Sequence, residues 1–303
     1  RAQAPESSQI IVVNDHSTDA SAQIAEQWGA TVVCTPEGRH GSSAARNVGA
    51  EKATGELLVF VDADVIIQEG ALKKLLQAIE QGADAAVGYY DKSANEISWL
   101  SGFKNTLIRA KHRRSGEQIR WFWTALGALR ASHFNALGGF DEDHFSKASV
   151  EDMELGYRLS ESGARIVQVF DARISHRHLF GVGTIVKNDF RKSRDWARMI
   201  MRNSVRQSQD HSSTGPGELL ALASSLAIFA GLLLTPLHSL MIGVSLLAAI
   251  VLAFTVSDEL ALVRREQGVF RVLPYLLTRA MLHPIAAIGA ALGTIQGAQE
   301  TSQ

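Results

Sequence analysis

The stretch Phe60-Val61-Asp62-Ala63-Asp64 decides the fold class of this chain. It closes an apolar run, residues 56–61, whose length and composition are typical of a buried β-strand. Side chains alternate along a strand, so Asp62 and Asp64 are expected on the same side at its carboxyl end, where open α/β sheets bind their ligands. Two carboxylates there suit a divalent cation that carries a diphosphate, because such a cation needs few protein ligands.

Strand and helix patterns alternate on both sides of this stretch. Further strands are predicted at residues 9–13, 30–34, 84–88 and 165–170, and helices at 20–28, 43–53, 71–81 and 151–162. This alternation is typical of a mostly parallel sheet covered by helices. Between residues 97 and 130 the pattern is too blurred to assign elements.

The composition argues against one class of function. The 303 residues include 30 Lys and Arg against 31 Asp and Glu, so bulk charge does not favour binding to nucleic acid. Cys34 is the only cysteine, which rules out an intrachain disulfide and agrees with a reducing compartment.

The last third of the sequence is mostly apolar. Segments 219–234 and 237–256, separated by Thr235-Pro236, predict a membrane hairpin, and the second is about long enough to cross a bilayer. A charged loop is expected at 257–268. The apolar segment 269–295 is a weaker third span, because its Arg279 would cost roughly 2.5–3.5 kcal/mol at the centre of a bilayer.

A basic amphipathic helix is predicted just before the apolar segments, at residues 186–205. Its cations recur every three or four residues and therefore line one face. Either an ordinary surface helix or a helix lying on a membrane accounts for this pattern, and the apolar segments that follow favour the membrane. A polar linker is expected at 207–217.

Short motifs occur in a fixed order along residues 9 to 180. They are Val12-Val13-Asn14-Asp15-His16-Ser17-Thr18-Asp19, Ala44-Ala45-Arg46-Asn47-Val48-Gly49, Phe60 to Asp64, Leu137-Gly138-Gly139-Phe140-Asp141-Glu142 and Glu151-Asp152. In this order they resemble the V-V-D-D-G-S-T-D, A-R-N-x-G, D-x-D, G-G-F-D-E and E-D motifs of family 2 glycosyltransferases. The resemblance implies the GT-A fold, which binds nucleotide sugars.

The resemblance also implies roles on the donor side. Asp15 would accept a hydrogen bond from the base of the donor, unless it only caps the next helix as an Asx turn. Arg46 would lie near the donor phosphates or hold the Asp-x-Asp loop, with a plain surface ion pair as the alternative. Asp62 would bind the ribose or the metal shell. Asp64 would ligate Mg²⁺ or Mn²⁺, and His176 is favoured over His178 as a further metal ligand after the last strand.

On the acceptor side the resemblance makes Asp152 the general base. Glu151 is its nearest substitute. Trp123, in the aromatic cluster 121–123, would stack on a sugar or a lipid-linked acceptor, or would simply pack. Gly139 and Asp141 belong to the turn that shapes the acceptor side.

Three departures from the family pattern bear on function. The Q-x-x-R-W motif of processive synthases is lacking, since residues 193–196 have no Arg before Trp196, and this favours transfer of a single sugar. His16 replaces the usual Gly of the first motif. The family's first strand is absent before Gln9, so the natural chain is expected to extend upstream.

These observations predict an α/β GT-A catalytic domain at residues 1–183, an interfacial helix and linker at 184–217, and a membrane domain at 218–303 with two or three transmembrane helices. The expected activity is inverting transfer of one sugar, from a UDP- or GDP-type donor to a lipid or lipid-linked acceptor. The catalytic domain would be cytoplasmic and anchored by a multi-pass membrane domain. A nucleotidylyltransferase-like enzyme and a non-catalytic membrane scaffold derived from a transferase remain as alternatives.

Overall fold

The structure of the chain is a computed structural model, and it describes residues 4–93, 97–145, 147–202 and 216–301. Its contacts divide the chain into two compact units. The first contains Arg1–Tyr90 and Glu117–Ser175, and the second contains Asp91–Gly116 and His176–Gln303. The chain therefore passes from one unit to the other three times. The boundary predicted at residue 183 differs from this division, which also assigns 91–116 to the second unit.

The helices and strands alternate through the first unit and give way to helices alone in the second. The strands are β1 (Ile11–Asn14), β2 (Thr31–Cys34), β3 (Leu57–Val61), β4 (Val65–Ile67), β5 (Ala85–Tyr90), β6 (Gln118–Ile119), β7 (Leu126–Arg130) and β8 (Ile166–His176). The first helices are α1 (Ser21–Gln27), α2 (Ser42–Glu51), α3 (Ala71–Glu80), α4 (Trp99–Ser115), α5 (Ala131–Ala136) and α6 (Glu151–Glu161). The later helices are α7 (Val182–Arg202), α8 (Pro216–Leu234), α9 (Leu240–Thr255), α10 (Ser257–Gln267) and α11 (Val272–Glu300), with a 3₁₀ turn at Val269–Arg271 before α11.

Two sheets form among the described residues. β1 and β2 pair in parallel in a two-stranded sheet. The second sheet has the order β3-β7-β5-β8-β4, with β6 paired to β8. β7 is antiparallel to both β3 and β5, and β5 is parallel to β8, so β3, β5 and β8 all run in one direction. The strand directions are thus mostly parallel, as expected for an α/β fold.

The core of the first unit holds the end of β3 in place. Phe60 lies in edge-to-face contact with Phe140, at 5.3 Å between ring centroids, and with Phe122 at 6.3 Å. Helix α6 closes the other side of this cluster. A Cβ built on Gly156 would lie only 2.0 Å from the backbone nitrogen of Phe122, so α6 rests directly on the backbone of Trp121 and Phe122. This contact fixes the start of α6, where Asp152 lies.

The second unit buries its charges as pairs. Arg279, in α11, donates to Glu218 at 2.8 Å and to Glu259 at 3.1 Å, and Tyr275 donates to Glu259 at 2.9 Å. Arg109 of α4 makes two hydrogen bonds to Glu266, at 2.6 and 2.8 Å. These partners explain how an arginine is tolerated within an apolar segment, because a buried charge is costly unless it is paired.

The structure corrects one prediction in this unit. Residues 257–268 were expected to form a charged loop, but they form helix α10, which is bent by 75° from α9. Asp258 and Glu259 in its first turn and Arg264 and Arg265 in its last turn complement the helix dipole.

By length and composition, α8 and the segment Val269–Glu300 could each cross a membrane, and α9 with α10 could form a third span. The predicted linker at 207–217 lies outside the described residues, apart from its last two residues, which begin α8.

Candidate functional site

The two carboxylates of the Asp-x-Asp motif lie in a turn. β3 ends at Val61, and the turn that follows is closed by a hydrogen bond from Val65 N to Asp62 O at 3.2 Å. The alternation of side chains along a strand therefore does not orient Asp62 and Asp64, contrary to the prediction. The turn between β3 and β4 does so instead.

The negative charges of three carboxylates act on Tyr90, the last residue of β5. Burial raises the pKa of Tyr90 well above its ordinary value, and the charges of Asp62, Asp64 and Asp152 raise it further. Trp123 lies edge-to-face against the Tyr90 ring, with 4.3 Å between centroids. Both acids of the Asp-x-Asp motif and the predicted base therefore act electrostatically on one tyrosine, and the predicted stacking residue contacts its ring.

Arg46 connects the Asp-x-Asp turn to the start of α6. Its guanidinium donates to Asp62 Oδ1 at 2.8 Å and to Glu151 Oε1 at 2.7 Å, and it lies 5.6 Å from the centroid of the Phe140 ring. Burial opposes its charge, but Asp62 and Glu151 outweigh burial, so the pKa of Arg46 is raised. This contact corresponds to the second role that the resemblance implied for Arg46, which was to hold the loop.

Glu151 is fully engaged by its own protein. Besides Arg46, it accepts hydrogen bonds from Ser42 Oγ at 2.7 Å and from Ser149 N at 2.6 Å, and it is 3% exposed. Burial raises the pKa of Glu151, but the charge of Arg46 and these hydrogen bonds lower it by more, so the net shift is downward. Glu151 is therefore an ionised structural anchor rather than a group that could reach a substrate.

Asp152 has a different environment, although it is the next residue. It is half-buried, and its Oδ1 accepts from Met153 N at 2.8 Å. Its Oδ2 lies 3.5 Å from both the backbone nitrogen and the hydroxyl oxygen of Thr124, which are long contacts. A substrate hydroxyl could replace one of these long contacts to Asp152 Oδ2.

Asp15 is held at the end of β1 by two donors. Thr35 Oγ1 donates to it at 2.8 Å and Gly41 N at 2.9 Å. Burial opposes ionisation of Asp15, but these hydrogen bonds outweigh it and the pKa of Asp15 is lowered. A turn of the kind considered as an alternative role for Asp15 occurs at Asp19, whose Oδ1 accepts from Ser21 N, two residues on, at 3.0 Å. The Oδ1 of Asn14, the residue before Asp15, accepts from Ser17 N at 2.8 Å. One potential ligand atom each from Asp15, His16 and His40 lies within 4.8 Å of the other two.

Asn47 clamps the turn that contains Gly139. Its side-chain amide donates to Phe140 O at 2.9 Å and accepts from Phe140 N at 2.9 Å. Gly139 has φ +76°, and a Cβ there would lie 2.6 Å from Asn47 Oδ1, so both conformation and space require glycine. Asp141, in the same turn, lies 2.6 Å from His144 Nδ1.

Three positioning residues were not singled out from the sequence. Asn47 could have been, because it belongs to the A-R-N-x-G motif. Arg158 donates to the carbonyl oxygens of Leu137 and Gly139, each at 2.8 Å, and Arg39 donates to Glu142 at 3.0 Å. No sequence signal marks these two arginines, since their partners are distant along the chain.

His176 is the last residue of β8 rather than a residue after the strand, because β8 extends to 176 instead of ending at 170. It belongs to the second unit, whereas the other predicted site residues belong to the first. Its ring is stacked nearly parallel to that of His178, with 5.7 Å between centroids.

Comparison with known proteins identifies the family. The model of glycosyl transferase family 2 matches residues 1–141. An uncharacterised glycosyltransferase of Mycobacterium bovis is 34% identical over 170 residues, which are 54% of this chain and 73% of that protein. Validoxylamine A glucosyltransferase of Streptomyces hygroscopicus subsp. limoneus is 28% identical over 193 residues, or 53% of this chain, and the match spans 42% of that protein's length.

A solved structure has the same fold. The mannosyltransferase PcManGT of Pyrobaculum calidifontis, determined in complex with GDP-Man and Mn²⁺, superposes with a TM-score of 0.54 over 95% of this chain and 77% of its own, at 16% identity. The motifs, the family model and the mycobacterial relative agree, and the chain belongs to glycosyl transferase family 2.

Proposed function

We propose that this protein is an inverting glycosyltransferase that moves one sugar from a nucleotide-sugar donor to a lipid or lipid-linked acceptor at the cytosolic face of a membrane. The observation that carries the proposal is that Arg46 joins Asp62 to Glu151 at the start of α6, while the charges of Asp62, Asp64 and Asp152 all act on Tyr90. This supports a cation-binding pair of carboxylates with a separate carboxylate that can act as a base.

A UDP- or GDP-type donor is supported by the names of related proteins. Relatives are named for transfer of glucose, and PcManGT was determined with GDP-Man. Asp15, at the end of β1, is the proposed acceptor of a hydrogen bond from the donor base. Its lowered pKa keeps it ionised, which suits an acceptor of hydrogen bonds from a base N–H.

The residues around Tyr90 fit a divalent cation. Carboxylate oxygens are the ligands that Mg²⁺ and Mn²⁺ prefer. Burial raises the pKa of Tyr90, and the negative charges of Asp62, Asp64 and Asp152 raise it further. Asp64 would hold the cation directly, with Asp62 as a second ligand or a contact to the ribose. When bound, the cation offsets the charge of the departing diphosphate.

Asp152 is the proposed general base. In an inverting transfer the acceptor oxygen forms a bond to the anomeric carbon while the bond from that carbon to the diphosphate oxygen breaks. The acceptor hydroxyl loses its proton in the same step, and Asp152 takes it. Arg46 and Glu151 position α6, and the Asn47 clamp holds the turn with Gly139 and Asp141 that we assign to the acceptor side. Trp123 offers an aromatic face or edge to a sugar ring.

A membrane location favours a lipid or lipid-linked acceptor. Exposed apolar side chains cover α8 and α9, and these helices follow the catalytic unit in the same chain. Under the positive-inside rule the basic residues Arg264 and Arg265 lie on the cytosolic side, with the Thr235-Pro236 turn on the opposite side. The catalytic domain would then be cytoplasmic.

The Asp64→Ala variant tests this function. Asp64→Ala is expected to abolish the part of UDP or GDP binding that depends on Mn²⁺, because the diphosphate loses its cation bridge. Isothermal titration with each nucleotide, with and without Mn²⁺, measures this. Asp171→Ala is the matched control, since Asp171 is a largely exposed carboxylate on β8 whose loss should leave binding unchanged. Equal Mn²⁺-dependent affinity in Asp64→Ala and the parent would show that the metal site lies elsewhere.

A further inference from the structure

Helix α11 is long enough to cross a bilayer. Its 29 residues correspond to about 43 Å at about 1.5 Å per residue, against roughly 30 Å for the hydrocarbon core. By length and composition it is a candidate span. Its neighbours within the second unit argue for a different placement.

The second half of α11 lies with its backbone against that of α7. Cβ atoms built on Gly289, Gly293 and Gly297 would lie 2.4, 2.0 and 2.9 Å from the carbonyl oxygens of Phe190, Arg194 and Arg198. The contacting residues advance by four on both helices, so the two helices run parallel, side by side. Glu300 at the end of α11 pairs with both Arg198 and Arg202 of α7. Wherever this half of α11 lies, α7 lies beside it.

α7 is too charged for the interior of a bilayer. Its six basic residues are Lys187, Arg191, Lys192, Arg194, Arg198 and Arg202, and with the two acidic residues Asp189 and Asp195 they give a net charge of +4 (six minus two). Charged side chains near the centre of a bilayer are strongly disfavoured and rarely occur in such numbers on one helix. A spanning α11 would carry this charge into the hydrocarbon.

Another side of α11 is apolar and exposed. The side chains concerned are Leu277, Met281, Ile288, Leu292 and Ile295, which are between 41% and 63% exposed. Successive residues of a helix are about 100° apart, so Ile288 and Leu292 lie to one side of the glycine face rather than opposite it. When this apolar side meets lipid, α7 lies alongside α11 at the depth of the headgroups, where its cations remain hydrated.

α11 meets the hairpin of α8 and α9 along the first half of α8. Arg279 bonds Glu218 in the first turn of α8, and His283 Nδ1 lies 2.8 Å from Ser225 Oγ. Beyond this crossing α11 continues along α7. On the hairpin, Leu233 of α8 and Leu247 of α9 remain 79% and 63% exposed.

We propose that α7 and α11 form a helix pair that lies flat in the membrane interface, and that α11 does not span. α8 and α9 are then the helices that enter the bilayer, and Thr301, which follows α11, is on the same side as the catalytic unit. In this placement the exposed apolar side of α11 contacts the lipid surface. The inference concerns topology and does not depend on the chemistry of the proposed transfer.

Cysteine labelling in sealed membrane vesicles with the catalytic unit outward tests the topology. Native Cys34 is exposed and reports the catalytic side. Thr301→Cys, in a Cys34→Ser background, is expected to react with a membrane-impermeant maleimide at a rate close to that of Cys34, before detergent is added. Leu237→Cys, at the turn between α8 and α9, is the opposite-side control and should react only after detergent. If Thr301→Cys reacts only after detergent, α11 spans and the proposal is wrong.

Depth measurements give a second readout that does not depend on vesicle orientation. An environment-sensitive fluorophore on Leu292→Cys, with the protein in phosphatidylcholine vesicles, should be quenched more by nitroxides near the lipid headgroup than by nitroxides near the chain end. The same fluorophore on Leu247→Cys should show the reverse order. Stronger quenching of the Leu292→Cys probe by the deep nitroxide would overturn the interfacial placement.

Discussion

Glu151 and Asp152 show how far neighbouring residues can differ in role. The sequence presents them as an E-D pair with Asp152 favoured and Glu151 as a substitute. The structure separates them, because Arg46, Ser42 and the backbone of Ser149 bond Glu151, while Asp152 Oδ2 lies 3.5 Å from the backbone nitrogen and hydroxyl oxygen of Thr124. Sequence could not supply this difference, since Ser42 and Arg46 are more than a hundred residues away from Glu151.

The variant Asp152→Asn tests the base. Asparagine keeps the shape of the side chain but cannot accept the proton, so transfer is expected to fall by roughly 10²–10⁴. Donor binding should stay within a few-fold of the parent, because Asp62, Asp64 and Arg46 are untouched. Single-turnover transfer and nucleotide titration measure the two effects separately. Transfer close to that of the parent would assign the base to another residue.

The lowered pKa of Glu151 predicts a pH effect on stability. A carboxyl group whose pKa is lower in the folded state stabilises the fold above its ordinary pKa, about 4.3, and this stabilisation is lost as the pH falls through the folded value. Glu151→Gln removes the titration. The parent should therefore melt at a higher temperature than Glu151→Gln at neutral pH, and the difference should shrink below about pH 4.3. A difference that stays constant down to pH 2 would mean that Glu151 is not the group responsible.

At the scale of elements, the contact between α6 and the backbone of Trp121 and Phe122 sets the position of Asp152. Gly156→Ala puts a methyl group 2.0 Å from Phe122 N and 2.5 Å from the carbonyl carbon of Trp121, and neither backbone atom can move without shifting its segment. Overpacking of this kind typically costs about 1–3 kcal/mol, which exceeds the gain of up to about 1 kcal/mol that alanine brings to a helix.

Gly156→Ala should therefore melt at a lower temperature and lose transfer activity together. The matched control is Gly183→Ala, in the first turn of α7, where a Cβ meets nothing within 4 Å and alanine should hold or raise the melting temperature. Thermal denaturation of both variants decides the point. An unchanged melting temperature in Gly156→Ala would contradict the packing described for α6.

The elements with regular apolar patterns were predicted well, and the exceptions have a physical reason. β1, β3, β5, α2, α3 and α6 follow the predicted segments within a few residues. α4 was missed because it buries polar residues, among them Asn105, Thr106 and Arg109, which interrupt the expected apolar spacing. The residues of α10 were predicted to form a loop because many of them are charged. Acidic residues in the first turn and basic residues in the last turn are nevertheless typical of a helix.

At the scale of the whole molecule, exposed apolar residues on α8 and α9 predict firm attachment to membranes. Leu233, Leu247 and Phe254 are each more than 60% exposed in the structure. The protein should sediment with membranes and resist extraction by alkaline carbonate and by high salt, because apolar insertion does not depend on charge. Fractionation followed by immunoblotting measures this. Release by salt alone would indicate attachment through the basic residues of α7 only.

The three crossings of the chain between the two units limit where it can be cut. Removing everything after Ser175 is the obvious way to obtain a soluble catalytic fragment, but such a fragment keeps α4, which belongs to the second unit. Arg109 would lose the two hydrogen bonds from its guanidinium to Glu266, and Phe103 would lose the ring of Tyr275, 4.8 Å away. The fragment would therefore expose side chains of α4 that are buried in the whole chain, among them Phe103, Leu107 and Arg109, and would be prone to aggregate. A fragment suited to crystallisation or screening should end at Ser175 and should also have a short loop in place of residues 91–116.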